Sequence, residues 1–261
     1  MKLYKHKNKK GIEMDKLSEV YLKGEENKAA ILLMHSFGDT NGVMSPLAEL
    51  LNQAGYSVLY PTYSNHQDQN YAEIFSTPME DYQAEAAEYY QFLKAQGHDN
   101  IVVGGLSLGG ILAIDLAVQH PEVSGLISLA SPMFIDLNES KIPYYMRQQL
   151  YRQLATEEGI SAEDLKQADQ MFKTLKEIFK TMNRWMDESL SKVLQLEQPV
   201  FIAQSVNDEV INMTVAERLK RAMRQAEFVD FHLYEEGTHY LTADLTLSPL
   251  AQDLIHFLGK I

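Results

Sequence analysis

Ser107 sits between two glycines in Gly105-Leu106-Ser107-Leu108-Gly109. An apolar run, Ile101-Val102-Val103-Gly104, precedes this segment, and another, Ile111-Leu112-Ala113-Ile114, follows it. A serine on a sharp turn from a buried strand into a helix is a nucleophile elbow. Such a turn leaves almost no room beside the serine, and Gly105 and Gly109 bring no side chain to it. The five-residue pattern alone arises by chance in roughly one chain in ten of this length. The strand before it and the helix after it are what give it weight. The glycine-rich turns of nucleotide-binding folds need a Gly-Lys-Ser/Thr or a G-x-G-x-x-G, and neither is present here.

A serine hydroxyl is a poor nucleophile until a base takes its proton. The base is usually a histidine, held in the right tautomer by a carboxylate. On an elbow scaffold these partners follow the serine in the order acid, then histidine. His232, His239 and His256 are the late histidines. His232 falls inside a strand pattern and His256 inside a helical one. His239 lies in the loop Glu235-Glu236-Gly237-Thr238-His239-Tyr240 and is the expected base. The acid should follow the preceding strand, where Asp208 and Glu209 are adjacent, one facing inward and the other solvent. Acyl transfer also needs donors aimed at the developing oxyanion. The backbone N–H of Leu108 is one candidate. The N–H of Phe37, in the loop His35-Ser36-Phe37-Gly38-Asp39, is the other. His35 reads as a residue that organises this loop by hydrogen bonding. The histidines are scattered, with no H-E-x-x-H or calcium-loop spacing, so no metal is expected.

The elements that would position these groups are legible as alternating patterns. Strands are predicted at Ala30–Met34, Ser57–Tyr60, Ile101–Gly104, Gly125–Ala130, Val200–Gln204 and Phe228–Tyr234. Several are nearly continuous in Ile, Val and Leu, as strands buried on both faces are. Helices are predicted around Met44–Ala54, Pro78–Gln96, Leu108–Gln119, Thr214–Gln225 and Pro249–Leu258. The alternation implies a parallel sheet with helices on both faces. Leu17–Leu22 is predicted to add an antiparallel edge strand. From Ile135 to Leu196 only helical patterns appear, over roughly sixty residues where a plain crossover needs a dozen or so. This reads as a helical cap, 135–195, inserted into a core made of 1–134 and 196–261. It leaves the carboxyl end of a strand, where ligands bind in open α/β sheets.

Composition narrows the function classes. The 261 residues suit one large domain with an insertion. A net charge of −13 argues against nucleic acid and against electrostatic binding to anionic membrane. There is no cysteine, which fits a reducing cytoplasm. Met1–Lys10 is basic but has no apolar stretch behind it, so it does not read as a secretory signal. No run of 18 apolar residues is present to span a membrane.

Taken together, the motifs resemble the bacterial carboxylesterases and monoacylglycerol lipases of the α/β-hydrolase superfamily. The resemblance rests on His35-Ser36-Phe37, Gly105-Leu106-Ser107-Leu108-Gly109-Gly110, Gln204-Ser205-Val206-Asn207-Asp208-Glu209-Val210-Ile211 and Gly237-Thr238-His239. It implies an α/β-hydrolase fold: a mostly parallel central sheet flanked by helices, with an inserted helical cap. It also implies Ser107 as nucleophile, Asp208 as acid, His239 as base, and the amides of Phe37 and Leu108 as oxyanion donors. The expected activity is that of a serine carboxylesterase hydrolysing short- to medium-chain acyl esters, with monoacylglycerols as candidate substrates, through an acyl-enzyme on Ser107 and without a cofactor. Thioesterase, acyltransferase, peptidase and non-catalytic ligand-binding members of the same fold are the alternatives. Phe37, Met133, Met146, Phe179, Met182, Trp185 and Met186 are candidates to line a deformable apolar pocket. Two positions depart from the family pattern. Ser36 stands where glycine is usual, and Asp39 where a small residue is commoner. Ser36 is expected in an ordinary region of φ/ψ, and Asp39 must be paired or turned away from the oxyanion.

Overall fold

Strand residues alternate between two faces, and here both faces are apolar. In strand β2 (Ala30–Met34), Ala30, Leu32 and Met34 join one core while Ile31 and Leu33 join the other. A strand of this kind must lie in the middle of a sheet covered on both sides. The computed structural model describes residues 14–157 and 159–261; the basic stretch Met1–Lys10 lies outside them. The other strands are β1 (Tyr21–Leu22), β3 (Ser57–Leu59), β4 (Ile101–Leu106), β5 (Gly125–Leu129), β6 (Val200–Ser205) and β7 (Val229–Tyr234). They form one seven-stranded sheet in the order β1-β3-β2-β4-β5-β6-β7. All neighbours pair in parallel except β1 and β3.

The helices in chain order are α1 (Met14–Glu19), α2 (Ser45–Gln53), α3 (Tyr71–Ile74), α4 (Met79–Ala95), α5 (Leu108–Gln119), α6 (Ile142–Leu154), α7 (Ala162–Val193), α8 (Thr214–Ala222) and α9 (Asp244–Leu258). Helices α2 and α9 cover one face through Leu47, Leu51, Leu250, Leu254 and Phe257. The other face takes α4, α5, α8 and the inserted pair α6 and α7. Helix α5 is buried from Leu108 to Ala117, all the way round. A helix hydrophobic on every side belongs in the interior. Here it lies between the sheet, α4 and α7.

Three sequence expectations need correction. Leu17–Leu22 is not a strand throughout: residues up to Glu19 form α1, and only Tyr21–Leu22 pairs with β3. Leu17 is spent in the core instead, as α1 packs near α4. The last helix begins at Asp244, not Pro249, so Pro249 is internal and removes one backbone donor there. Within the insertion, the helical patterns around Leu165–Phe179 and Met182–Leu190, which read as separate stretches in the sequence, run on as the single 32-residue α7. Its buried residues Ala168, Phe172, Leu175, Phe179, Met182 and Met186 keep a spacing of three to four. Ser161 caps its start by accepting from the Asp164 N–H at 3.1 Å.

The insertion is tied to α5, the helix that follows Ser107, by a part-buried polar contact. Trp185, expected among the pocket residues, donates its indole N–H to Asp115 on α5 at 3.0 Å. Gln119 donates to the other Asp115 oxygen at 2.5 Å. Burial raises the Asp115 pKa, against the pull of its hydrogen bonds. Removing a donor from a buried carboxylate costs about 1–3 kcal/mol. Trp185→Phe is therefore expected to lower the urea unfolding midpoint by that equivalent while the secondary structure is kept. An unchanged midpoint would show that this bond contributes nothing to holding the insertion.

Candidate active site

The turn from β4 into α5 is held by close backbone packing. Ser107 has φ 55° and ψ −112°, a region that L-residues rarely occupy. Such strain costs on the order of 1–3 kcal/mol and persists only where the surroundings dictate it. Ser107 N–H donates to Leu129 O at 2.8 Å, and its carbonyl accepts from Gly110 N–H at 3.0 Å and Ile111 N–H at 3.2 Å. A Cβ on Gly105 would come within 2.5 Å of both the Met34 carbonyl oxygen and the Gly109 carbonyl carbon. One on Gly109 would collide with the same Met34 oxygen. Both glycines are thus demanded by close approach. Ser107 is buried, as are Phe37 and Leu108.

Met34 ends β2, and the loop that follows carries Phe37. Among the described residues, neither the Phe37 N–H nor the Leu108 N–H donates a hydrogen bond within the protein. The Leu108 amide belongs to the first turn of a twelve-residue helix, whose dipole favours negative charge. Around them the loop is splinted by two buried histidines. His35 Nδ1 lies 2.8 Å from Ser36 O and so carries the proton; its Nε2 accepts from Tyr63 N–H at 3.2 Å. His66 Nε2 accepts from Gly38 N–H at 3.0 Å, and its Nδ1 faces Asn65 Oδ1 at 2.9 Å. His35 does organise the loop, as expected. His66 was not singled out by any sequence pattern.

The two departures from the family pattern meet. Ser36 is not among the residues with positive φ, so serine is not strained there. Its Oγ donates to Asp39 Oδ2. Tyr240 OH also reaches Asp39, 3.3 Å from Oδ1 and 3.2 Å from Oδ2. Asp39 is therefore paired. Burial raises its pKa, opposed by the Ser36 and Tyr240 hydrogen bonds and by His239.

On the other side of the site, β6 and β7 present the carboxylates and the histidine. His239 Nδ1 lies 2.8 Å from Asp208 Oδ2, with the Asp208 side chain fully buried. Gln204 Nε2 donates to the same oxygen at 2.5 Å. The amides of Val210 and Ile211 donate to Oδ1, each at 2.8 Å. Glu209 turns to the same histidine but accepts from its backbone N–H, at 3.1 Å. Asp208 thus holds the ring and Glu209 the loop. Among the described residues no hydrogen bond joins the His239 ring to Ser107 Oγ; such contacts often tighten only when substrate binds. His232 sits on edge strand β7 between Asp230 and Asp253, and His256 is exposed.

The insertion reaches this region. The Phe37 and Phe179 ring centroids are 6.0 Å apart, and Phe37 stacks on Phe75 at 6.0 Å. Met146 Sδ lies 3.7 Å from where a Cβ on Gly38 would be. Tyr145 on α6 has its phenol pKa raised, first by desolvation and then by the charge of Glu209, with Asp208 also contributing. Met133, Met182 and Met186 are buried in the core that contains Phe37. A cavity of about 680 Å³ lies instead at the amino-terminal ends of β5 and β6, lined by Val123, Gln198 and Pro199. A groove of about 490 Å³ runs beside Asp39, Val43, Tyr240 and Leu247. No group of His, Asp and Glu able to hold a metal occurs among the described residues. Among them, no helix is long and apolar enough to cross a membrane.

The strand order, the strained serine after β4 and the helical insertion after β5 define an α/β-hydrolase fold. The chain belongs to the family described as Hydrolase_4, serine aminopeptidase, S33, whose model matches residues 25–246. It is 28% identical over 233 residues to a carboxylesterase of Bacillus subtilis (strain 168), covering 89% of this chain and 93% of that one. A thermostable monoacylglycerol lipase of Bacillus sp. (strain H-257) is 37% identical over 105 residues, or 40% of this chain and 41% of the other. Among solved structures, the Paleococcus ferrophilus monoacylglycerol lipase superposes with a TM-score of 0.66 at 16% identity, covering 92% of this chain and 97% of that one. A structure from work on two metagenome-derived lipolytic enzymes gives 0.69 at 19%, covering 92% and 96%.

The histidine splints carry a pH dependence. Burial lowers the pKa of His35 to about 4. Burial, and then His35, lowers that of His66 to about 3. Both stay neutral in the fold, whereas an unfolded chain protonates them near 6.5. Below that pH the unfolded state binds more protons, so stability is lost as pH falls from about 6.5 toward 4 and 3. Each group can contribute up to about 1.4 kcal/mol per pH unit in that window. Urea unfolding at pH 7, 6 and 5 is expected to show this decline, and His66→Gln should flatten it. An equal decline in His66→Gln would clear His66 of the effect.

Proposed function

We propose that this chain is a serine carboxylesterase that hydrolyses short- to medium-chain acyl esters, monoacylglycerols among them. The observation that carries this reading is the strained Ser107 turn, with the unpaired amides of Leu108 and Phe37 available beside it. The carboxylesterase and lipase names of the relatives support it. The absence of cysteine supports a cytoplasmic setting.

In this mechanism Ser107 Oγ attacks the acyl carbonyl carbon while His239 Nε2 takes the hydroxyl proton. The proton on Nδ1, held by Asp208, keeps Nε2 free to accept it and stabilises the imidazolium that forms. The carbonyl oxygen becomes an oxyanion and takes the Phe37 and Leu108 N–H bonds, each worth about 10²–10³ in rate. The bond to the alcohol oxygen then breaks, and His239 returns the proton to the departing alcohol. Water attacks the acyl-enzyme with His239 again as base, and release of the carboxylic acid restores Ser107. Residues 135–195 act as a cap over this centre, with Phe179 and Met146 shaping the acyl side. The family's description also keeps an aminopeptidase reading in play.

The experiment is a panel of p-nitrophenyl and glyceryl esters against amino-acid p-nitroanilides, with wild type and Ser107→Ala. Ester turnover that Ser107→Ala abolishes supports the reading; turnover of anilides alone would replace it with peptidase. Ser107→Ala and His239→Ala should each lower kcat by on the order of 10⁶, as in a comparable triad. Asp208→Asn should cost about 10⁴. A larger loss from Glu209→Gln than from Asp208→Asn would contradict the assignment of the acid.

Chain-length preference should follow the insertion. Phe179→Ala and Met146→Ala are expected to change the ratio of kcat/KM for octanoyl and acetyl esters about tenfold, within reach of one or two methylenes in an apolar pocket. A uniform loss across chain lengths, in a folded protein, would show that these residues do not read the acyl chain.

A further inference from the structure

Two hydroxyls from distant stretches of chain, those of Ser36 and Tyr240, converge on one carboxylate, that of Asp39. Ser36 and Asp39 flank Phe37, whose amide is the proposed oxyanion donor, and they are joined by a hydrogen bond. Tyr240 directly follows His239, and its hydroxyl lies within 3.3 Å of both Asp39 oxygens. Further along the same seam, Thr242 Oγ1 donates to Val43 O at 2.5 Å.

We infer that Ser36, Asp39 and Tyr240 form a clasp that fixes the Phe37 amide relative to the His239 ring, making them positioning residues for ester hydrolysis. The inference rests on the proposed hydrolase reading of the site. Its strength lies in the two departures at positions 36 and 39. A glycine at 36 would offer Asp39 no hydroxyl, and a small residue at 39 would leave both Ser36 and Tyr240 without an acceptor. Each departure supplies what the other needs. The remaining anchors of the two loops are separate: Gly38 is held by His66, and the His239 backbone by Glu209. Neither of those bonds crosses between the loops.

The clasp also disposes of a charge that would otherwise oppose catalysis. A carboxylate facing the oxyanion would raise the barrier. Here its two oxygens are engaged by hydroxyl donors, and Asp39 senses His239 electrostatically. A negative group on that side favours the imidazolium that forms in both chemical steps.

The test uses Ser36→Ala, Asp39→Asn, Tyr240→Phe, the double variant Asp39→Asn/Tyr240→Phe, and Ser36→Thr, which retains the hydroxyl. With p-nitrophenyl butyrate, each single removal is expected to lower kcat about tenfold, near the worth of one positioning hydrogen bond, with KM within about twofold. The double variant should be no worse than its poorer single, and Ser36→Thr should recover most of the loss. Hydrogen–deuterium exchange provides a readout independent of turnover. Tyr240→Phe should speed exchange in residues 35–44, and Ser36→Ala in residues 238–243, by about threefold, with the rest of the chain unchanged. If wild type shows no ester turnover, the functional reading fails while exchange still decides the clasp. Unchanged exchange across the seam overturns it. So does exchange that rises throughout the chain, or a loss confined to KM.

Discussion

The approach of α5 to the end of β2 is the contact on which the site depends. Gly105 and Gly109 let the backbone come against the Met34 carbonyl, closer than any side chain would permit. That closeness drives Ser107 into its strained conformation and turns the chain at once into a helix. It also sets the first turn of α5, with its free Leu108 amide, beside the loop that begins at His35. One backbone contact therefore fixes the proposed nucleophile and both proposed oxyanion donors. The strain, on the order of 1–3 kcal/mol, is offset by backbone hydrogen bonds from Ser107 to β5 and α5.

His239, the proposed base, is held by a different principle. Its loop has no regular structure, so side chains supply the rigidity. The Asp208 carboxylate accepts from Gln204, His239 and two backbone amides, which leaves it little freedom to rotate. Adjacent Glu209 anchors the same histidine through its main chain. Two neighbouring carboxylates thus have unlike tasks, one directional and one structural. Charge alone would not distinguish them; position relative to the end of β6 does.

Much of this was legible in the sequence, for physical reasons that also explain the gaps. The interior strands announce themselves because burial on both faces leaves only apolar residues, and β2, β4, β5 and β6 were found within a residue or two. The edge was harder. The stretch from Leu17 alternates too little to be a strand, and its first half is helical. Ser107 stands out because an elbow needs glycines at fixed offsets. His239 stands out because it is the late histidine in a loop. Gln204 lies within a recognised motif, yet its hold on Asp208 depends on a side-chain direction that no pattern encodes. His66 was invisible, since nothing in Ser64-Asn65-His66 reveals that its ring accepts from Gly38. The pairing of Asp39 with Tyr240 was beyond reach for the same reason: it joins segments about two hundred residues apart.

The long helical insertion leaves the sheet after β5 and returns to β6, and these two strands are immediate neighbours. A detour between adjacent strands adds no rung to the ladder and removes none. The pairing of β5 with β6 therefore does not depend on a tight connection between them, while α7 packs Phe172, Phe179 and Met182 into the core. Its polar tie to the body through Trp185 and Asp115 is correspondingly economical. The ladder is closed by the strands alone, and the insertion is held to it by side-chain packing rather than by the sheet.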